Sequence, residues 1–187
     1  MITLLAAAML AATLATGAPS SKSAEPWPEA PVPDYGIADG ECRKNERGPA
    51  IVATAVGLKD RSGTLRLELY SAVDGEWLDD DRELVRDGKV FRRAVMPVPA
   101  TGPVELCVRA PHAGQWALAL VHDRAGSKKF KLSTDGIGFS ANPHLGFAKP
   151  RAQSAAIAAG AGLTRIAVRL NYRKGLLSFG PLDDGKR

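Results

Sequence analysis

His122 and Asp123 are adjacent, and Ser140 lies nearby in the stretch Gly138-Phe139-Ser140-Ala141-Asn142-Pro143. These residue types could supply a nucleophile, a general base and the carboxylate that orients it. On a strand, however, neighbouring residues point to opposite faces, so Asp123 is badly placed to hold the His122 imidazole. Ser140 also lacks the G-x-S-x-G turn that exposes a hydroxyl nucleophile. A structural reading fits better. Asp123 caps the turn leaving the strand, and His122 packs against or hydrogen-bonds the 138–143 loop. No catalytic residue is therefore assigned. Gly138, Phe139, Ser140, Asn142 and Pro143 are read, with His122 and Asp123, as structural motif residues.

Metal and cofactor chemistry find equally little support. His112 sits in a Pro-His-Ala-Gly turn and His144 follows Pro143, but neither has a second ligand at fixed spacing. A site gathered from His112, His122 and His144 through space is the remaining metal alternative. Gly160-Ala161-Gly162 lacks the third glycine of a dinucleotide fingerprint and precedes a strand, so no cofactor is expected. Arg165, Arg169 and Arg173 alternate with apolar residues without interleaved aromatics, which argues against nucleic acid.

Cys42 and Cys107 are the only cysteines, and their significance depends on compartment. Residues 1–17 are apolar or small, too short for a comfortable membrane span, and end in Ala15-Thr16-Gly17, a pattern signal peptidase can cut. No Lys or Arg precedes the run, so the usual positive start is missing. These features predict a signal peptide over 1–17, a periplasmic or secreted chain, and no transmembrane span after processing. In an oxidising compartment, the single pair of cysteines is expected to form a disulfide.

The elements that would position these residues are strands. Hydrophobic residues make up 45% of the chain and charged residues 24%, which excludes wholesale disorder. Residues 18–40 are rich in Pro, Ser, Ala and acid and read as an extended linker, in which Trp27 and Tyr35 could still dock. Beyond it the signal is period two. Thr64 to Tyr70 places Leu65, Leu67 and Leu69 on one face and Arg66, Glu68 and Tyr70 on the other. Val104 to Arg109 and Arg165 to Tyr172 alternate likewise, and Val90 to Val98 and Ser154 to Ala158 add two strands. Ala50 to Val56 and Trp116 to Val121 are apolar on both faces, as central strands are. Short Gly- and Pro-rich turns between them predict an all-β, antiparallel sandwich of about seven strands over 41–181, with a tail at 182–187. The one candidate helix, Trp77 to Leu84, carries acids at both ends, so its C-terminal acids would oppose the macrodipole, and a loop fits the stretch equally well.

The net charge of +5 hides an asymmetry. Through Gly88 there are 9 basic and 15 acidic residues, a balance of −6; from Lys89 onward 16 and 5 give +11. Asp74, Glu76, Asp79, Asp80, Asp81 and Glu83 form the acidic cluster, and Lys128, Lys129 and Lys131 belong to the basic half. Solvated faces are the usual reading of such asymmetry, and a dipolar surface or a self-complementary contact are the alternatives. A basic face can also attract anionic lipid or polysaccharide, an attraction that salt weakens.

Two stretches carry more than composition. Ile51 to Tyr70 is a strand–turn–strand, and Ala113-Gly114-Gln115-Trp116 through His122-Asp123 leads on to Gly138-Phe139-Ser140-Ala141-Asn142-Pro143. Together they resemble the bacterial exported family known as domain of unknown function 2141, over Cys42 to Tyr172. Trp116 stands where that family usually has Tyr. The resemblance implies an immunoglobulin-like or transthyretin-like sandwich without an assigned activity. It also implies a calcium-like loop after His-Asp, but Arg124 to Lys131 offers lysines where a hard cation needs oxygen ligands. The resulting expectation is an exported, non-catalytic binding module whose partner is an envelope protein, a glycan or anionic lipid. The alternative is an envelope hydrolase, or a glycan- or lipid-binding protein, using the His122/Ser140 loop region. A lipid or glycan binder would expose aromatics from among Trp27, Trp77 and Phe139.

Overall fold

The structure, a computed structural model, describes residues 42–43, 46–146, 148–175 and 178–182. The expected signal peptide (1–17), the linker (18–40) with Trp27 and Tyr35, and the tail beyond Leu182 lie outside the described residues. Among the described residues, ten strands form two sheets. The smaller sheet has the order β4-β1-β8, from β1 (Ala50–Val56), β4 (Glu105–Arg109) and β8 (Leu163–Arg169). The larger sheet runs β10-β9-β6-β5-β2-β3. Its strands are β2 (Thr64–Ser71), β3 (Phe91–Pro97), β5 (Gly114–Asp123), β6 (Gly136–Phe139), β9 (Asn171–Lys174) and β10 (Ser178–Pro181). A further strand, β7 (Ala156–Ala159), pairs with the start of β5 on the edge that β6 occupies further along.

The all-β sandwich is as the alternation predicts, with one parallel pair, β1–β8, in an otherwise antiparallel fold. The run Arg165 to Tyr172 is two strands rather than one. The chain leaves the small sheet at Leu170, whose N–H bonds the Val56 carbonyl, and enters the large sheet as β9. Val168, Leu170 and Tyr172 all remain buried across this corner, so the apolar face is continuous while the hydrogen-bond partner changes.

Leu65, Leu67 and Leu69 point into the core between the sheets, against Ile51, Val108, Leu118 and Leu120. The opposite face of β2, read from sequence as solvent-facing, is covered as well. Tyr70 packs there with Trp77, Phe91 and Phe139 in a second apolar layer, and Glu68 is buried beside it. The cover is the β2–β3 connection, which includes helix α1 (Asp81–Arg86). The expected helix over Trp77 to Leu84 is displaced because Leu78 adopts a left-handed conformation (φ 59°) and ends the preceding turn. Asp80 then caps the helix by accepting the Arg82 and Glu83 N–H groups. With that start, Asp81 and Glu83 occupy the first turn and Arg86 the last, so the charges complement the macrodipole. Ser154 and Ala155 likewise belong to a 3-10 turn, Ala152–Ala155, that precedes β7.

Cys42 and Cys107 form a disulfide, with Cα atoms 5.5 Å apart. It ties the segment before β1 onto the outer face of β4, where the Arg109 guanidinium bonds the Arg47 carbonyl and the Ala110 N–H bonds that of Pro49. Closing a loop with a sequence separation of 65 contributes about 4 kcal/mol in the chain-entropy account. Reduction is therefore expected to lower the melting temperature by about 10 °C. Thermal melts with and without reductant check this, and coincident transitions would show the cross-link to be energetically idle.

Candidate functional site

Strand β5 carries both His122 and Asp123 at its end, and the pleat sends them to opposite faces. His122 is fully buried. Its Nδ1 lies 2.7 Å from the Tyr172 hydroxyl and its Nε2 lies 2.8 Å from the Ser62 carbonyl oxygen. A carbonyl can only accept, so Nε2 carries a hydrogen, and in the neutral imidazole Nδ1 then accepts from the tyrosine. The Tyr172 oxygen in turn accepts the Lys59 N–H at 3.2 Å. Burial pushes the Tyr172 hydroxyl up to about 12, which keeps it a donor. Gly136 makes this possible, because a Cβ there would overlap the Tyr172 ring. His122 thus clamps the β1–β2 turn to β9. Both ring hydrogen bonds of His122 go elsewhere than the expected 138–143 loop, because β5 pairs His122 with Gly136 and meets that loop further back, at Leu118 to Leu120.

Asp123, also buried, accepts the N–H groups of Ser127 (2.9 Å) and Lys128 (2.7 Å). Asp135, equally buried, accepts those of Lys131 (2.8 Å) and Arg124 (3.3 Å) and the Thr134 hydroxyl. The two carboxylates pin the β5–β6 loop from its base. Arg124 completes it, donating to the Thr134 carbonyl and to Asp60, whose carboxyl it holds well below the usual range through a side-chain hydrogen bond. The loop's carboxylates are therefore taken up by amides and a guanidinium. Among the described residues, no three His, Cys, Asp or Glu side chains converge into a metal-binding group, and His112, His122 and His144 do not meet. His112 tilts over the Trp116 ring, and its carbonyl accepts the indole N–H.

Ser140 sits level with Leu118, whose N–H its hydroxyl accepts at 2.9 Å while donating to the Ala155 carbonyl. His122 lies four residues along β5 from Leu118, about 13 Å on a strand, so the Ser–His pair is not assembled. The rest of the motif joins the two sheets. Asn142, in a left-handed conformation (φ 49°), donates to the Ala167 carbonyl (2.8 Å) and accepts the Arg169 N–H (2.7 Å), matching the outer edge of β8 as a strand would. A Cβ on Gly138 would overlap the Arg169 carbonyl oxygen. Phe139 is buried edge-on against Trp77, itself fully buried, so neither supplies the expected exposed aromatic patch.

The same loop forms one wall of a groove of about 350 Å³. Phe139, Asn142, Pro143 and Leu145 face Arg169 and Phe179 across it. Arg169 is exposed, and its guanidinium has no partner among the described residues. Sequence reasoning singled out Phe139, Asn142 and Pro143 but not Leu145 or Phe179, and it placed Arg169 on a basic strand without linking it to them. No local spacing connects the two walls, since the far wall comes from β8 and β10.

A family described as an uncharacterized protein conserved in bacteria (DUF2141) matches residues 54–167. The chain belongs to this family. Comparisons with curated proteins and with solved structures find no match. The DUF2141 span runs from within β1 to within β8 and includes the whole His-Asp and Gly-Phe-Ser motif. It stops before Arg169 and Phe179, so the groove joins a wall that belongs to the family span to one that lies beyond it.

Two outcomes follow from the clamp. His122→Ala orphans the Tyr172 hydroxyl and the Ser62 carbonyl and leaves a cavity, at a cost of about 3 kcal/mol, read by urea unfolding. The Asp60–Arg124 pair carries a pH signature. Asp60's folded value is depressed, so its contribution is complete above about pH 4 and is lost as pH falls through that folded value. Asp60→Asn is therefore less stable than wild type near neutrality, and the gap narrows below about pH 4 in pH-dependent melts.

Proposed function

We propose that this DUF2141 chain is an exported, non-catalytic binding module that takes its ligand in the groove between the motif loop and β8–β10. The observation that carries this reading is the groove's composition. Pro143, Leu145 and Phe179 offer apolar wall, and the exposed Arg169 guanidinium, without a partner among the described residues, offers a cation. That combination suits a ligand with an apolar body and one anionic group. Export is supported by the Cys42–Cys107 disulfide. No helix among the described residues is long and apolar enough to cross a membrane. The hydrolase alternative loses its nucleophile–base pair, because Ser140 is engaged with Leu118 and Ala155 and His122 with Tyr172 and Ser62.

Anilinonaphthalene sulfonate, an apolar ring system with one anion, is the probe for this groove. Its fluorescence should titrate saturably onto the folded protein, and Arg169→Ala should weaken binding about tenfold without moving the melting temperature. Identical titrations for wild type and variant would refute the groove assignment.

A further inference from the structure

The β5–β6 loop is pinned at its base yet presents an unusual tip. Lys128, Lys129, Phe130, Lys131 and Leu132 are consecutive and all exposed. Phe130 is 38% and Leu132 54% exposed, on a loop that makes no use of either in the core. None of the three ammonium groups has an ion-pair or hydrogen-bond partner among the described residues. The acids within reach, Asp123 and Asp135, are buried and occupied by backbone N–H groups. Lys59 and Arg61, in the β1–β2 turn that His122 clamps beside this loop, are exposed too.

We propose that this tip docks the protein on an anionic lipid bilayer, with the lysines at the headgroups and Phe130 and Leu132 in the acyl boundary. Alternation of cations with exposed apolar side chains at one projecting loop is what an interface between charged headgroups and hydrocarbon accommodates. A soluble polyanion would engage the lysines and leave Phe130 and Leu132 in water. The charge layout supports the orientation. Thr64 at the start of β2 pairs with Asp123 at the loop's base, while Ser71 at the other end, about 25 Å away, leads into the acidic β2–β3 connection. Asp74, Glu76, Asp79, Asp80, Asp81 and Glu83 therefore lie at the end opposite the lysines, and the resulting dipole turns the basic tip toward a negative surface.

This inference extends the reading of the chain as an exported binding module, and its test is independent of the groove. Full-length protein is sedimented with vesicles of phosphatidylglycerol and phosphatidylcholine, and with vesicles of phosphatidylcholine alone. Residues 1–17 are common to every variant, so the readout is the difference from wild type. Lys128→Asn with Lys129→Ser and Lys131→Ser should weaken binding to the anionic vesicles about 100-fold. Asn is chosen at 128 because that residue is left-handed, at φ 63°. Phe130→Ser with Leu132→Ser should weaken it at least about tenfold at unchanged charge. Both variants should keep the wild-type melting temperature. Vesicle binding unaffected by the apolar pair, or dextran sulfate bound while vesicles are not, would overturn the proposal in favour of a soluble polyanion. Loss of the sulfonate signal alone would count against the groove and leave the loop standing.

Discussion

Strand β5 is covered on both faces and on both edges, and most of the molecule follows from that constraint. Its even-numbered residues Leu118 and Leu120 face the core between the sheets, while Ala117 and Ala119 face the second layer under Trp77 and Phe139. β2 occupies one edge, and β6 and β7 share the other. A polar side chain on such a strand has no water to satisfy it, so each must find a partner within the fold. His122 and Asp123, on opposite faces at the strand's end, do so in opposite directions. The histidine draws in the β1–β2 turn and β9, and the aspartate draws in the loop toward β6. A pair that looks like catalytic chemistry is thus the means by which one buried strand organises its end of the sandwich.

The period-two pattern made the strands and the inner leucine face legible because that pattern is a direct readout of one-sided burial. Three things were hidden for physical reasons. The outer face of β2 looks solvent-exposed because Arg66, Glu68 and Tyr70 are polar-ended. Yet Glu68 accepts the Tyr70 hydroxyl and the Arg93 guanidinium, and these bonds allow the face to be covered. The sheet switch at Leu170 left no trace because the inward register of Val168, Leu170 and Tyr172 is the same in either sheet. The helix start was obscured by six acids in ten residues, and only the left-handed Leu78 selects Asp80 as the cap. The motif loop was legible as structure, but the groove beside it was not. Arg169 and Phe179 reach the groove through strand order, which no local spacing encodes.

Phe139 and Asn142 show how one short motif can serve the fold and a surface together. Phe139 fills the second layer edge-on against Trp77, and Asn142 supplies β8 with the donor and acceptor of a missing strand. Satisfying that edge pairs the Arg169 backbone, while its exposed guanidinium has no partner among the described residues. The groove is accordingly anchored on the loop side through Phe139 and Asn142, and its charge comes from a residue whose backbone alone is committed.

The same separation of backbone from side chain governs the β5–β6 loop. Asp123 and Asp135 hold it through the N–H groups of Arg124, Ser127, Lys128 and Lys131, which every residue except proline can provide. Folding therefore places little demand on the side chains at the tip. Of the loop's basic residues, Arg124 alone is committed to the scaffold, through Asp60 and Thr134. Three lysines with Phe130 and Leu132 is a costly choice for such a tip: the cations repel one another, and the apolar groups gain nothing in water. Nothing in the packing of the described residues offsets that cost, since neither apolar layer includes Phe130 or Leu132. The tip is then best understood by what it meets outside the fold, and a surface both anionic and apolar offsets both parts of the cost at once.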